Sequence, residues 1–181
     1  MAAGAIDDVD ETVLAWRRER PGTPTEGIGI VTRIWRLAKL LGDDRRRTLA
    51  AAGADASTLD LLSVLRRAGP PYRLTTRQLA DRTRVTKGAV SQRLERAERQ
   101  GLVARRPGPS RSVEVTLLLA GHAAVERLVD RVLGREAELV SALGAEQQEH
   151  LTGLLRAFLQ ALEAETGPTR HTQVGSGRGG G

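Results

Sequence analysis

Cysteine is absent from the 181 residues. That absence excludes a disulfide framework, thiolate metal sites and a thiol redox sensor, and it fits a reducing compartment. No apolar run approaches the roughly 20 residues that a membrane-spanning helix needs. The start, MAAGAIDDVDE, is acidic where a secretory signal is basic. A soluble, cytoplasmic protein is expected. There is no internal repeat and no glycine-rich phosphate loop following a strand. The histidines, His122, His150 and His171, are scattered, and none has a partner at metal-ligand spacing. No serine or carboxylate pair forms a catalytic constellation. The sequence therefore predicts no enzyme, no metal and no cofactor.

Acids are scarce in one segment. From Arg73 to Arg111 there are eleven Lys or Arg and only three acids, Asp81, Glu95 and Glu98. The whole chain carries a formal +6, so everything outside that segment is slightly acidic. A concentrated basic patch is the electrostatic footprint of a polyanion, whereas an ordinary solvated surface intersperses its acids. Double-stranded DNA is the expected partner.

The order of elements gives the patch a shape. Ile6, Val9, Val13 and Trp16 fall at helical spacing over 7–19, with Asp7, Asp8 and Asp10 at the positive N-terminal end. Pro21-Gly22-Thr23-Pro24 ends that helix, and a long second one runs from Glu26 to about Ala52. Ser57 is expected to cap a third, which stops at Gly69-Pro70-Pro71. Thr75 and Gln78 form a capping box for a short fourth helix. Thr86 caps the fifth, with Val85 and Val90 as its hydrophobic staple. Gly101 ends it. Residues 102–106 and 112–117 then suit two strands around the turn Pro107–Arg111. Helices resume at Ala120, and Leu151, Leu154, Leu155, Phe158, Leu159 and Leu162 mark a wide apolar stripe on the last. Four regions are expected: N-terminal helices (1–52), a DNA-binding lobe (53–118), C-terminal dimerisation helices (119–165) and a flexible, glycine-rich tail (166–181). The fold class is mainly α with a small β-hairpin. The apolar terminal helices predict a homodimer.

Two short capped helices with a tight turn, the second basic and followed by a hairpin, describe a winged helix-turn-helix. Advancing the fifth helix by about 100° per residue from Val90 puts Leu94 and Ala97 with Val90 on a narrow buried face. Gly88, Gln92, Arg96 and Arg99 then point outward. Gln suits an adenine edge, Arg a guanine edge, and Ser91 either base. Lys87 and the cap Thr86 stand at the helix N-terminus, where backbone N–H groups meet phosphate. Arg106 and Arg111 extend the basic surface into the hairpin. Arg93 falls at about 300°, on the flank of the buried face and aimed at neighbouring helices rather than at bases.

The stretch LTTRQLADRTRVTKGAVSQRLERAERQGLVARR resembles the winged helix-turn-helix of the MarR family of bacterial transcription regulators. The flanking helices resemble that family's dimerisation region, so the resemblance covers roughly residues 7–165. It implies an intertwined homodimer on a palindromic operator, usually a repressor released by a small ligand. Within the family, the urate-responsive branch (HucR-, PecS- and TamR-like regulators) is the more similar. LAWRRER, TLDLLSVLRRAGPP, SQRLER and GLVARR match its pattern at Trp16, Asp60, Arg93 and Arg105. The resemblance implies that these four form or connect a site for an anionic effector, urate-like, a purine or a polycarboxylate. Each also has a plainer reading. Trp16 suits the core of an amphipathic helix, Asp60 the acidic first turn of a helix, and Arg105 a phosphate. A DNA-binding regulator or architectural protein with no small-molecule response is the alternative. Two departures stand out. RRPGPSRS lacks the family's Asp-x-Arg element on a longer wing, leaving Arg111 alone at the tip, and VTLLLAGHAA replaces the usual Thr-Pro-x-Gly-Arg entry to the next helix.

Overall fold

A computed structural model describes residues 6–166; the tail from Gly167 onward, with His171, lies outside them. Seven helices and three short strands follow one another. α1 is Asp8–Glu19, α2 Glu26–Ala50 and α3 Ala56–Arg67. After β1 (Arg73–Thr75) come α4 (Thr76–Thr83) and α5 (Lys87–Arg99). The hairpin is β2 (Val103–Pro107) and β3 (Val113–Leu117), and α6 (Leu119–Val140) and α7 (Ala145–Thr166) close the chain.

α3 is the centre of the molecule. Its LDLLSVL run buries Leu59, Leu61, Leu62, Val64 and Leu65, and Leu62 and Leu65 are fully inaccessible. Leu79 of α4, Val90 and Leu94 of α5, Val103 and Val115 of the sheet and Val125, Leu128 and Val132 of α6 complete one hydrophobic cluster. Leu49 of α2 joins it as well. The lobe expected at 53–118 therefore shares its core with a helix on either side. Each such side chain contributes about 1.5–3 kcal/mol by leaving water.

Local chemistry sets the helix starts. Asp7 caps α1 through the amides of Val9 and Asp10, and Asp10 returns the bond to the Asp7 amide. Those acids also dock α1 on α2. Arg33 reaches Asp7 at 2.7 Å and Asp10 at 2.9 Å, and Arg36 pairs with Asp8. Such half-exposed pairs are individually weak, so the buried Val9 does the packing. The cap expected at Ser57 lies two residues earlier. Asp55 accepts the Thr58 amide at 2.8 Å and the Ser57 hydroxyl at 2.7 Å. A carboxylate is the stronger acceptor, so Ser57 becomes a helical residue and Asp60 moves out of the first turn.

The sheet has one strand more than the sequence pattern shows. β1 pairs antiparallel with the far side of β3, giving the order β1-β3-β2. Tyr72, with φ 57, turns the chain into it and accepts the Leu117 amide at 3.0 Å. Only Leu74 of its three residues faces inward, too short a run to show alternation.

α6 leaves the sheet at a close approach. A Cβ on Gly121 would stand 2.1 Å from the Leu102 carbonyl oxygen and 2.6 Å from Leu117 Cδ1. The backbone atom cannot step aside without breaking the Leu118-to-Leu102 hydrogen bond of 3.0 Å. Gly121→Ala is expected to cost about 1–3 kcal/mol, as overpacking does. Urea unfolding checks this; an unchanged midpoint would show that α6 can shift freely at its start.

The remaining apolar surface lies on the terminal helices. Trp35, Leu37 and Leu40 of α2, Leu133 of α6 and Leu154, Leu155, Phe158 and Leu159 of α7 are all exposed. No helix of the described residues is long and apolar enough to cross a membrane.

Candidate nucleic-acid interface

The helix pair is built as its sequence suggests. The Thr75–Gln78 capping box opens α4, and Arg84, in the left-handed region at φ 53, ends it. Thr86 accepts the Ala89 amide and opens α5. Val90, Leu94 and Ala97 are buried on the core, whereas Thr86, Lys87, Gly88, Ser91, Gln92, Arg96 and Arg99 are exposed. One face of α5 is thus committed to packing, and the other is an open row of cations, amide and hydroxyl. Glu95 also lies on the exposed surface.

Two of the expected contact residues are already engaged. The Arg96 guanidinium lies 2.6 Å from Asp55, the cap of α3, with half of its side chain exposed. Burial opposes ionisation of Asp55, but hydrogen bonds from Ser57 and Thr58 and the Arg96 charge outweigh it and hold the carboxyl below its ordinary value. Arg96 is therefore anchored at the edge of the outward face rather than free upon it. Arg105 is held by Glu98 through three contacts: the Arg105 amide at 3.1 Å, Nε at 2.8 Å and Nη2 at 2.6 Å. These lower the Glu98 pKa. No hydrogen bond or ion pair joins Arg105 to Asp60 among the described residues; its tie is to Glu98. Glu98 was the signal to look for: an acid among eleven cations.

The wing pairs Arg105 with Val115, Arg106 with Glu114 and Pro107 with Val113. A 3-10 turn at Pro109–Arg111 closes it, and Arg111, with φ 60, is exposed at the tip. Arg106 is exposed as well. Arg73 of β1 reaches Glu114 at 3.2 Å across the sheet.

Behind α5 lies a second group. Arg93 is half-buried, as its position on the helix predicts, and its Nη1 is buried without a hydrogen-bond partner. Asp60 is 7% exposed and takes part in no hydrogen bond or ion pair among the described residues. Burial raises its pKa, and the charges of Arg93, Arg45 and Arg67 offset this only in part. Arg45 and Arg67, with Arg66, also rim a cleft of about 310 Å³ between α3 and α6, floored by Leu59, Val125 and Val129. Trp16 stands apart in the single chain. It is 47% exposed on α1, a helix that packs on α2, and no hydrogen bond ties it to Asp60, Arg93 or Arg105.

A capped basic helix over a small sheet, with a basic hairpin beside it, defines a winged helix-turn-helix DNA-binding protein. The profile of the MarR family matches residues 53–111. Across 150 residues the chain is 29% identical to the HTH-type transcriptional regulator PecS of Dickeya dadantii, covering 82% of this chain and 90% of that one. Two Streptomyces coelicolor MarR family regulators share the fold. Sco3205, solved in complex with DNA, is 28% identical with a TM-score of 0.63, covering 75% of this chain and 91% of its own. Sco5413 is 22% identical with a TM-score of 0.64, covering 77% and 96%. The chain is thus similar to MarR family transcription regulators over its winged helix-turn-helix and over most of its length.

Proposed function

We propose that the protein is a cytoplasmic repressor that binds an inverted-repeat operator as a homodimer and is released by a small organic anion. The observation that carries the ligand response is the buried Asp60 carboxylate. It feels the charges of Arg93, Arg45 and Arg67, and burial still raises its pKa. A purely structural acid at this depth is normally hydrogen-bonded or paired at short range. An uncommitted one beside an orphaned Arg93 nitrogen is a charge balance that a second anion can tip. The cleft rimmed by Arg67, and by Arg45 and Arg66 with their ion-pair partners Glu136 and Glu126, offers such an anion cationic groups beside an apolar floor. A planar carboxylate, urate or another purine, or a polycarboxylate fits that chemistry. We place Arg93 and Asp60 at the centre of the response and Trp16 as a residue that closes the site from α1. The test is a thermal-shift screen of urate, purines, citrate, aconitate and aromatic acids, followed by release from the operator. Trp16 emission in a Trp35→Phe background reports binding directly. A protein whose operator affinity no anion alters is a constitutive DNA binder, and the ligand reading falls.

The DNA reading has its own test. DNA in the Sco3205 complex supports the same partner here. Gln92, exposed in the middle of α5, is placed to read a base, with Ser91, Gly88 and Arg99 beside it. Thr86, Lys87, Arg106 and Arg111 are placed to meet phosphates. Gln92→Ala is expected to weaken specific binding by about 1–3 kcal/mol and to relax preference at one operator position. Selection of binding sites from a random duplex pool reads this out; identical preferences in the variant would show that Gln92 does not enter the groove.

A further inference from the structure

The wing is anchored at its base and free at its tip. Val103, Val115 and Leu117 hold the base in the core. Beyond Arg105 the residues Arg106, Pro107, Arg111 and Val113 are exposed. On β3 the hairpin is tied to β1 as far as Glu114, which pairs with Thr75 in the ladder and is reached by Arg73 at 3.2 Å; on β2 the tie to the body is Arg105, and what it grips is the recognition helix. Glu98, in the last turn of α5, uses both oxygens. Oε1 accepts the Arg105 backbone amide, and Oε2 accepts Nε and Nη2. Charge-assisted bonds from a guanidinium fork fix direction as well as distance. Arg105 lies opposite Val115 in the ladder, so holding it holds both strands.

We propose that Glu98 and Arg105 are positioning residues that lock the wing to α5, so that the recognition helix and the wing tip meet DNA as one rigid body. This rests on the DNA reading above. An acid beside a polyanion-binding surface weakens affinity by simple repulsion. Removing it should therefore tighten DNA binding if charge were its only effect, and it would also release Arg105 to meet a phosphate. The clamp predicts the opposite sign. Without Glu98 the wing tip samples many poses, and the contact made by Arg111 is lost on average.

The experiment uses the full chain and a fluorescein-labelled mixed-sequence duplex, with binding followed by anisotropy across a salt series. Circular dichroism melts confirm that each variant is folded. Wild type should bind, and Arg111→Ala should lower the slope of log affinity against log salt by about 0.9. Glu98→Ala should weaken binding about 3- to 10-fold and lower the slope by a similar amount, the loss of about one phosphate contact. Arg111→Ala added to Glu98→Ala should then cost almost nothing more, because the contact is already gone. Glu98→Gln keeps an acceptor for the Arg105 amide and should recover part of the affinity. Tighter binding by Glu98→Ala, or a full and additive effect of Arg111→Ala in that background, would overturn the clamp. A wild-type chain that binds no duplex overturns the clamp and the DNA reading together.

Discussion

Replacing Leu155 and Phe158 by aspartate is expected to turn a dimer into a monomer and to weaken operator binding about 10²- to 10⁴-fold, the loss of two linked half-sites. The two residues lie on α7 with Leu151, Leu154, Leu159 and Leu162, and all six are exposed in the single chain. A contiguous apolar face of this length on an otherwise charged chain marks an interface. α2 and α6 add Trp35, Leu37, Leu40 and Leu133 to the exposed set. No α7 residue belongs to the core cluster around α3, so the variant should keep its lobe folded, and circular dichroism should show little loss of helix outside α7. A two-fold dimer is expected to bind an inverted repeat with half-sites about 10 bp apart. Sedimentation is the direct measurement. A double variant that still sediments as a dimer at micromolar concentration would place the interface elsewhere.

The parts of this molecule that are legible in its sequence are those governed by neighbours three or four residues apart. Thr75 with Gln78, Thr86 with Ala89, and the Val90–Leu94–Ala97 stripe are local rules, and the structure contains them as expected. Arg93 on the flank of that stripe is legible for the same reason. Competition between adjacent caps is less so. Asp55 and Ser57 are both good N-cap residues, and only the geometry of the preceding turn decides between them. β1 escapes because three residues do not establish a period. The ion pairs that set the poses of Arg96 and Arg105 escape altogether. Asp55 is far from Arg96 in sequence, and Glu98 meets Arg105 only because the chain reverses at Gly101, with φ 67. Arg96 on a helical wheel and Arg105 on a strand look as free as their neighbours until the acids that hold them are found in space. The family resemblance orders Trp16, Asp60, Arg93 and Arg105 as one set; the Glu98 contact of Arg105 and the charge of Arg93 near Asp60 are seen only in the folded chain.

Arg93→Ala is expected to abolish release by the anion, a loss of about 5- to 150-fold in operator response if the native coupling is about 1–3 kcal/mol. In the unliganded protein the Arg93 charge favours ionised Asp60. In the proposed switch an added anion competes for the same guanidinium and repels Asp60, so it is expected to bind more tightly where α5 has moved than where α5 is docked on DNA. Without that difference in affinity no ligand shifts the equilibrium. Asp60→Asn separates the two halves of the argument. Asp60 binds its proton more tightly folded than unfolded, so it costs stability as the pH rises from the ordinary aspartate range through its raised value, and the cost persists above it. Removing the charge should therefore stabilise the protein near neutral pH and raise its Tm. The gain should disappear below pH ~4, the ordinary range of the carboxyl. The same variant leaves Arg93 free for the effector, so the anion should bind more tightly but release DNA less, because the repulsion that drove α5 away is gone. Calorimetry and operator competition measure the two quantities on one preparation. If Asp60→Asn and Arg93→Ala both release DNA as the wild type does, the switch lies outside this pair.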